Sequence, residues 1–105
     1  MKFSYVVSNT ALEDLDSIDR YVFSYGGISL VEAVGLQFES AFEALALNPY
    51  LHPIYNFEPP IPARHEYRSV NVYNYKVFYW LDEQNGLVVI SRVCHKAADF
   101  TRRGL

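Results

Sequence analysis

The chain has 105 residues, half of them hydrophobic and a fifth charged, a composition that excludes an intrinsically disordered protein. Its single cysteine, Cys94, excludes an intrachain disulfide and favours a reducing compartment. The apolar run near the start is too short for a signal peptide or a membrane span, so we expect one cytoplasmic domain covering residues 1–105.

The net charge of −3 is unevenly spread along the chain. Residues 1–58 hold two Lys/Arg and eight Asp/Glu, whereas residues 64–105 hold seven Lys/Arg and four Asp/Glu. This asymmetry indicates either an interaction face or simply acidic helices beside basic strands.

Residues 3–7 form a short apolar run that predicts a strand, and a helix follows it. Thr10 and Glu13 have the spacing of a capping box, in which each side chain satisfies a free backbone N–H at the helix start. Gly26-Gly27 predicts the end of this helix, because glycine readily takes the left-handed conformation of a helix cap. The apolar residues that repeat at helical spacing between these limits are Ala11, Leu15, Ile18 and Val22.

A second helix is predicted to open at Ser29, which forms another capping box with Glu32. Asn48-Pro49 predicts its end, because proline disfavours helical geometry in the residue before it. Two helices joined by a two-glycine break most simply form an antiparallel helical hairpin. The apolar stripe of the second helix consists of Val31, Val34, Phe38, Ala41, Phe42 and Leu45.

The stretch from Pro49 to Pro62 predicts a long loop. Four of the chain's five prolines lie between residues 53 and 62, and no helical or strand periodicity is present. A loop of this length is either a functional loop or a packed Ω-loop. Its aromatic residues, among them Tyr50, Tyr55 and Phe57, favour packing over disorder.

The C-terminal half predicts three antiparallel strands, at about residues 66–72, 75–82 and 87–95, rich in Val, Ile and aromatic residues. The apolar alternation changes phase after Tyr73-Asn74, which predicts a turn there. The fold class is therefore α+β, with a helical hairpin on a mainly antiparallel sheet.

Asn85-Gly86 predicts a two-residue type I′ hairpin turn, because both residues readily take positive φ angles. Such a turn would place Tyr79 opposite Arg92 and Lys76 opposite His95. Cross-strand partners lie about 5 Å apart at Cβ, so Lys76 and His95 are expected to be neighbours.

No sequence motif for a nucleotide, a metal or a serine nucleophile is present, and we expect no cofactor and no metal site. The basic residues of the strands alternate with aromatic ones, a pattern that could hold phosphates and stack bases. His95 could transfer a proton, since an unperturbed histidine titrates near neutrality. Alternatively, the aromatic residues simply pack under the helices and the basic residues solvate the free face.

Several short segments, spread over nearly the whole chain, fit the pattern of one known family. They are Tyr5-Val6-Val7, Asp14-Leu15 with Ile18 and Tyr21, Leu47-Asn48-Pro49, Arg68 seven residues before Tyr75, the strand Tyr75–Tyr79, and Val88 with Val93-Cys94-His95. In these segments the chain resembles the ParE branch of the RelE/ParE superfamily of toxins from type II toxin–antitoxin modules, which serve in plasmid stabilisation.

The resemblance implies a β-α-α-β-β-β order and a cognate antitoxin that wraps around the toxin, in a heterotetramer or larger complex. ParE-like members poison DNA gyrase, whereas RelE-like members cut messenger RNA on the ribosome. The chain departs from both patterns: Asn71 stands near an arginine position of the RelE-like nucleases. Ala97-Ala98 follow His95-Lys96, where ParE-like members often have an arginine pair.

Three hypotheses follow from the resemblance: a gyrase-inhibiting toxin without enzymatic activity, a ribosome-dependent endoribonuclease, or a toxin-fold protein with weak activity. In the nuclease, Arg68 and Lys76 would hold the phosphate and His95 would be the acid or base. The candidate target-binding residues are Arg68, Tyr75, Tyr79, Arg92, His95, Lys96, Arg102 and Arg103.

Overall fold

The computed structural model describes residues 2–57, 60 and 64–96. Its elements are, in chain order, β1 (Ser4–Val7), α1 (Asn9–Leu47), β2 (Arg68–Val72), β3 (Tyr75–Asp82) and β4 (Leu87–His95). The strands form one sheet in the order β1-β4-β3-β2, in which β1 runs parallel to β4 and the other neighbours are antiparallel. The predicted α+β class with a mainly antiparallel sheet is confirmed.

Helix α1 is interrupted at the predicted two-glycine site. Gly27 has non-helical angles of φ 68° and ψ −162°, so α1 consists of a first arm, residues 9–26, and a second arm, residues 28–47. Gly26 is needed for another reason: a Cβ atom there would lie 2.6 Å from Cδ2 of Leu30. Together the glycines permit a reversal that bulkier residues would block.

The two arms fold back against each other as a helical hairpin. Leu15 and Asp19 of the first arm line the same groove as Gly35 and Phe38 of the second. The second arm ends as predicted, with Asn48 as its C-terminal cap before Pro49 and its N–H bonded to the carbonyl of Ala44.

The start of α1 differs from the prediction. The N-cap is Ser8 and not Thr10: Ser8 is extended, and its Oγ accepts a hydrogen bond of 3.1 Å from the backbone N–H of Ala11. The Ser8 N–H and hydroxyl also donate to the carbonyls of Ile90 and Ser91, at 2.9 and 3.0 Å. Contact with β4 therefore determines where the helix begins.

The second capping box is also not the start of an arm. The break lies at Gly27, and Ser29 with Glu32 lies inside the helical run that follows. The unusual angles of a glycine decide the position of the break, and a serine two residues later adds no further interruption.

The three C-terminal strands lie within two residues of their predicted ends. Tyr73 has a positive φ of 53° between β2 and β3, which confirms the predicted turn at Tyr73-Asn74. Strand boundaries depend on local turn residues, so they could be predicted from the sequence.

The predicted register of the β3–β4 hairpin is wrong. Asp82 faces Leu87, so four residues, 83–86, form the connection. Gly86 has a positive φ of 65°, but Asn85 does not have one, which excludes a type I′ turn at this pair. Instead the Asp82 carboxylate accepts hydrogen bonds from the backbone and side-chain N–H groups of Asn85, at 3.2 and 2.9 Å.

A bulge at Ser91 changes the register again along β4. Tyr79 faces Ile90 whereas Phe78 faces Arg92, which leaves Ser91 as the extra residue. A bulge turns the following side chains relative to the partner strand. Arg92 consequently does not face Tyr79, as the two-residue turn had predicted.

The main core lies between the arms of α1 and one face of the sheet. It is built from the apolar stripes predicted for both arms and from alternate residues of the strands. Its buried members include Ala11, Ile18, Val22, Val34, Phe38, Phe42, Leu45, Val77, Tyr79, Val88, Ile90 and Val93.

The other face of the sheet is covered by the described part of the proline-rich loop. The rings of Tyr55 and Phe57 lie 5.2 and 5.7 Å from the ring of Phe78, which is fully buried. The backbone N–H of Tyr55 donates to the carbonyl of Tyr67 at 2.7 Å. The expected packing of this loop is confirmed for the residues that the structure describes.

Among the described residues, no helix is both long and apolar enough to cross a membrane.

Replacing Tyr79 by phenylalanine is expected to leave the free energy of unfolding unchanged or to raise it by about 1 kcal/mol. The Tyr79 hydroxyl is buried and has no hydrogen-bond partner within the described chain, and such a group costs on the order of 1–3 kcal/mol. Urea unfolding at neutral pH measures the difference. A loss of more than about 1 kcal/mol would contradict the absence of a partner.

The same substitution is expected to change the response to alkaline pH. Burial raises the pKa of Tyr79 to about 12, whereas tyrosine in an unfolded chain titrates near 10. The folded state therefore holds the proton more tightly, and the wild type loses stability as the pH rises from about 10 through 12. Tyr79→Phe lacks this loss, which unfolding curves at about pH 9 and pH 11 measure.

Candidate functional site

Arg68, at the start of β2, ties the proline-rich loop to the sheet. Its guanidinium donates a hydrogen bond to the backbone carbonyl of His52 and lies 5.5 Å from the ring centre of Tyr50. The Tyr50 hydroxyl donates to a carboxylate oxygen of Glu83 at 2.8 Å, and this hydrogen bond raises the pKa of Tyr50. The Arg68 guanidinium therefore already has intramolecular partners in the proline-rich loop.

A cavity of about 380 Å³, here the Arg68 cavity, opens beside this residue. One wall is the indole of Trp80, on which the His65 ring stacks at 3.7 Å with an interplanar angle of 1°. Three carboxylates and one guanidinium line the cavity, so its balance is acidic and does not favour a phosphate. The lining residues are Tyr50, His65, Glu66, Arg68, Trp80, Leu81, Asp82, Glu83 and Gln84.

Lys76 and His95 are not neighbours, in contrast to the prediction. Lys76 faces Cys94, because the four-residue turn and the bulge shift the register by one position there. Its ammonium lies 5.1 Å from the ring centre of Tyr55, on the face that the loop covers. His95 faces Tyr75, and the two rings meet edge to face at 5.8 Å.

His95 belongs to the helix side of the sheet. Together with Tyr75 it lines a largely apolar groove of about 330 Å³, here the His95 groove. The other residues of this groove are Tyr21, Val22, Leu30, Val34, Tyr73 and Asn74. The exposed Lys96 follows, and its backbone N–H donates to the carbonyl of Asn74 at 2.8 Å.

The three candidate catalytic residues do not converge. Arg68 faces Tyr79 and His95 faces Tyr75 from opposite sides of β3, so the two positions are about 13 Å apart along the strands and about 10 Å apart across them, or about 16 Å in all. Lys76 points to the opposite face from His95. A phosphate holder and a proton donor for one RNA phosphate would have to lie within a few ångströms of it.

Arg92 forms a buried ion pair that the sequence did not predict. Its Nε and Nη2 donate to the two carboxylate oxygens of Asp14, at 2.8 and 3.1 Å, and the two side chains are only 11% and 15% exposed. The same carboxylate accepts the backbone N–H of Val93 at 2.9 Å. Hydrogen bonding to Asp14 raises the pKa of Arg92, so the guanidinium stays charged in this buried position.

Asp14 was missed because acids near a helix start ordinarily stabilise the helix dipole. The available signal was its place in the family pattern, beside the buried Leu15 stripe. Tyr79, another candidate target-binding residue, is fully buried. Tyr75 is half-buried between Phe38 and His95, whereas Arg102 and Arg103 lie outside the described residues.

Within the described ranges, no three His, Cys, Asp or Glu side chains cluster in a way that could hold a metal ion.

The family model for the ParE toxin of type II toxin–antitoxin systems, parDE, matches residues 5–100. A search of curated proteins finds no significant match. Several solved structures share the fold, and three of them are described here. The chromosomal ParDE system of P. aeruginosa has a TM-score of 0.66 at 12% identity, with 90% of this chain and 96% of that chain covered.

The RelBE2 toxin–antitoxin complex of Mycobacterium tuberculosis has a TM-score of 0.59 at 23% identity, with 90% of this chain and 99% of that chain covered. The archaeal RelE–RelB complex of Pyrococcus horikoshii OT3 has a TM-score of 0.61 at 12% identity, with coverage of 94% and 100%. At these identities the likeness concerns the fold.

The helical hairpin on this sheet, together with these matches, defines a toxin of the RelE/ParE superfamily of type II toxin–antitoxin systems. Within the superfamily, the family model covers nearly the whole chain. The chain belongs to the ParE toxin family.

Replacing Asp14 by alanine is expected to lower the free energy of unfolding by about 3 kcal/mol or more, because the Arg92 charge would remain buried without its partner. Asp16→Ala is the matched control, since its ion pair with Arg20 lies on the exposed surface of the same arm. That change should cost roughly 0.5 kcal/mol. Equal losses in the two variants, measured by urea unfolding, would contradict a structural role for the Asp14–Arg92 pair.

Proposed function

We propose that this chain is a ParE-like toxin that acts by binding a protein target, DNA gyrase, and that a cognate antitoxin neutralises it. The observation that carries the proposal is the match of the ParE family model to residues 5–100. We further propose that residues 1–105 act as a single cytoplasmic toxin domain.

The arrangement of the charged residues supports binding rather than RNA cleavage. Arg68 and Lys76 are engaged with the proline-rich loop, and the position of His95 is about 16 Å from that of Arg68, two strands away across the sheet. The Arg68 cavity is acidic in balance, which repels a phosphate backbone. Inhibition by binding needs a complementary protein surface and no assembled catalytic group.

The exposed apolar residues of α1 support an antitoxin partner. Tyr21, Phe23 and Tyr25 near the end of the first arm are more than half exposed, as are Ile28 and Leu36 of the second. The rings of Tyr21 and Tyr25 contact each other at 5.0 Å, and contiguous exposed apolar surface of this kind marks interaction sites. The similar structures from M. tuberculosis and P. horikoshii are complexes of a toxin with its antitoxin.

We place the target-binding surface at the end of β4, where His95 and Lys96 are both exposed. The Tyr75 ring contacts the His95 ring edge to face, and Arg102 and Arg103 follow in the sequence. Tyr79 and Arg92 would act through the fold, because both are buried.

Purified chain is expected to inhibit DNA supercoiling by gyrase, and addition of the antitoxin is expected to restore it. Supercoiling of a relaxed plasmid measures this directly, with the same chain added to a type I topoisomerase as control. Unchanged supercoiling together with cleavage of messenger RNA on ribosomes would favour the RelE-like endoribonuclease. Growth that continues when the chain is expressed alone would favour a toxin-fold protein of weak activity.

Replacing both His95 and Lys96 by alanine is expected to weaken gyrase inhibition at least about tenfold, the effect of a central contact in a protein interface. Lys2→Ala is the control, because Lys2 is an exposed cation that precedes β1, at the opposite end of β4 from His95. Inhibition by the double variant at the wild-type concentration would place the target-binding surface elsewhere.

A further inference from the structure

A second groove lies between the two arms of α1 and strand β1. Its volume is about 230 Å³, and it is distinct from the His95 groove. The floor is apolar, with contributions from β1 and from both arms. This groove, here the interhelical groove, is lined by Tyr5, Val7, Leu15, Asp19, Gly35, Phe38, Glu39 and Phe42.

Gly35 keeps the interhelical groove open. A Cβ atom built at this position would meet no heavy atom within 4 Å. Glycine inside a helix lowers its stability by roughly 0.5–1 kcal/mol relative to alanine, so neither packing nor helix formation accounts for it here. What the missing side chain provides is space above the apolar floor.

Two carboxylates stand in the wall of the groove, one on each arm. Within the described chain, Asp19 and Glu39 take part in no ion pair with a basic side chain. Desolvation and the nearby charge of Asp16 raise the pKa of Asp19, so its surroundings already disfavour a further negative charge. Residues 9–47 hold seven Asp/Glu and one Arg, and that Arg20 is bound to Asp16.

We propose that the interhelical groove seats an apolar side chain of the antitoxin, flanked by lysine or arginine side chains that pair with Asp19 and Glu39. This inference rests on the proposed function, because it takes the antitoxin as the partner. It adds the chemistry of the contact: an apolar anchor in a basic segment. An apolar floor between two carboxylates is complementary to a segment with an apolar side chain beside basic ones. It is not complementary to an acidic segment or to a purely polar segment.

A second copy of this chain is a poorer occupant, because its own helical arms are acidic and would face acidic arms. The C-terminal segment of the chain contains Phe100 near Arg102 and Arg103, and so has the required chemistry. We assign the interhelical groove to the antitoxin, and truncation of the chain after Lys96 tests its own C-terminal segment as the alternative occupant.

The first experiment fills the groove. Gly35→Leu places an isobutyl group in the open space, and Gly35→Ala is the matched control that leaves most of it free. The probe is the antitoxin encoded next to this chain, titrated onto the full-length variants by calorimetry. Gly35→Ala is expected to bind like the wild type with an equal or higher melting temperature, and Gly35→Leu to bind at least tenfold more weakly with its fold retained.

The second experiment removes the charges. Asp19→Asn combined with Glu39→Gln is expected to weaken binding about tenfold at low salt and to flatten the salt dependence of the affinity. Glu32→Gln is the control, since this exposed acid of the second arm does not line the groove. If Gly35→Leu does not fold, the double variant Asp19→Asn with Glu39→Gln, here the charge variant, tests antitoxin binding in the groove by itself.

The outcomes separate this inference from the proposed function. If the antitoxin binds Gly35→Leu and the charge variant as tightly as the wild type, the groove assignment is overturned while the toxin–antitoxin pair stands. If no complex forms with the wild type, both fail. If a variant ending at Lys96 binds the antitoxin more tightly, the chain's own C-terminal segment occupies the groove and the assignment to the antitoxin is overturned.

Discussion

The junction between the start of α1 and the bulged part of β4 is the interaction on which this fold depends. Strand β1 has only four residues and pairs in parallel with β4, and a parallel pair requires a long crossover connection. Where β1 ends, Ser8 caps the helix and bonds to the carbonyl of Ser91, and Asp14 accepts the N–H of Val93. Beyond Ile90, where β1 no longer pairs with β4, the side chains of Ser8 and Asp14 thus take the place of a neighbouring strand as hydrogen-bond partners of the β4 backbone. The ion pair with Arg92 then fixes the first arm against the sheet.

The sheet divides the candidate residues between two unlike faces. On one side it carries the hydrophobic core and the His95 groove, and on the other the aromatic residues of the proline-rich loop cover Phe78. Lys76 contacts Tyr55 on the face that the loop covers, and Arg68, which faces the core residue Tyr79, contacts the start of the loop at Tyr50 and His52. Positive charge that looked available for a nucleic acid is therefore used to attach a loop that has little regular structure of its own. Arg68 and Lys76 therefore both have partners within the described chain.

Charge differs between the helical arms and the end of β4. The helical arms are strongly acidic, and Asp14 alone among their carboxylates is neutralised by a buried cation within the described chain. Asn71 and the pair Ala97-Ala98 remove basic residues that the family resemblance would have led one to expect. Favourable electrostatics therefore lie with basic segments on the helical side. The end of β4 offers a separate surface, with the exposed His95 and the cation Lys96.

The sequence by itself determined the features that depend on neighbouring residues. The break at Gly26-Gly27, the helix end before Pro49, the turn at Tyr73-Asn74 and the faces of the helical stripes follow from backbone conformation and periodicity, which act over a few residues. The four-residue turn is also local, because Asp82 bonds to Asn85 three residues further on, although the Asn85-Gly86 pair had predicted a shorter turn. Tertiary structure alone decided the bulge at Ser91, where Ser8 and Asp14 bond to β4 from about eighty positions away. It also decided that Arg92 pairs with Asp14 in the interior. No local sequence pattern predicts which distant charged residue a strand residue will contact.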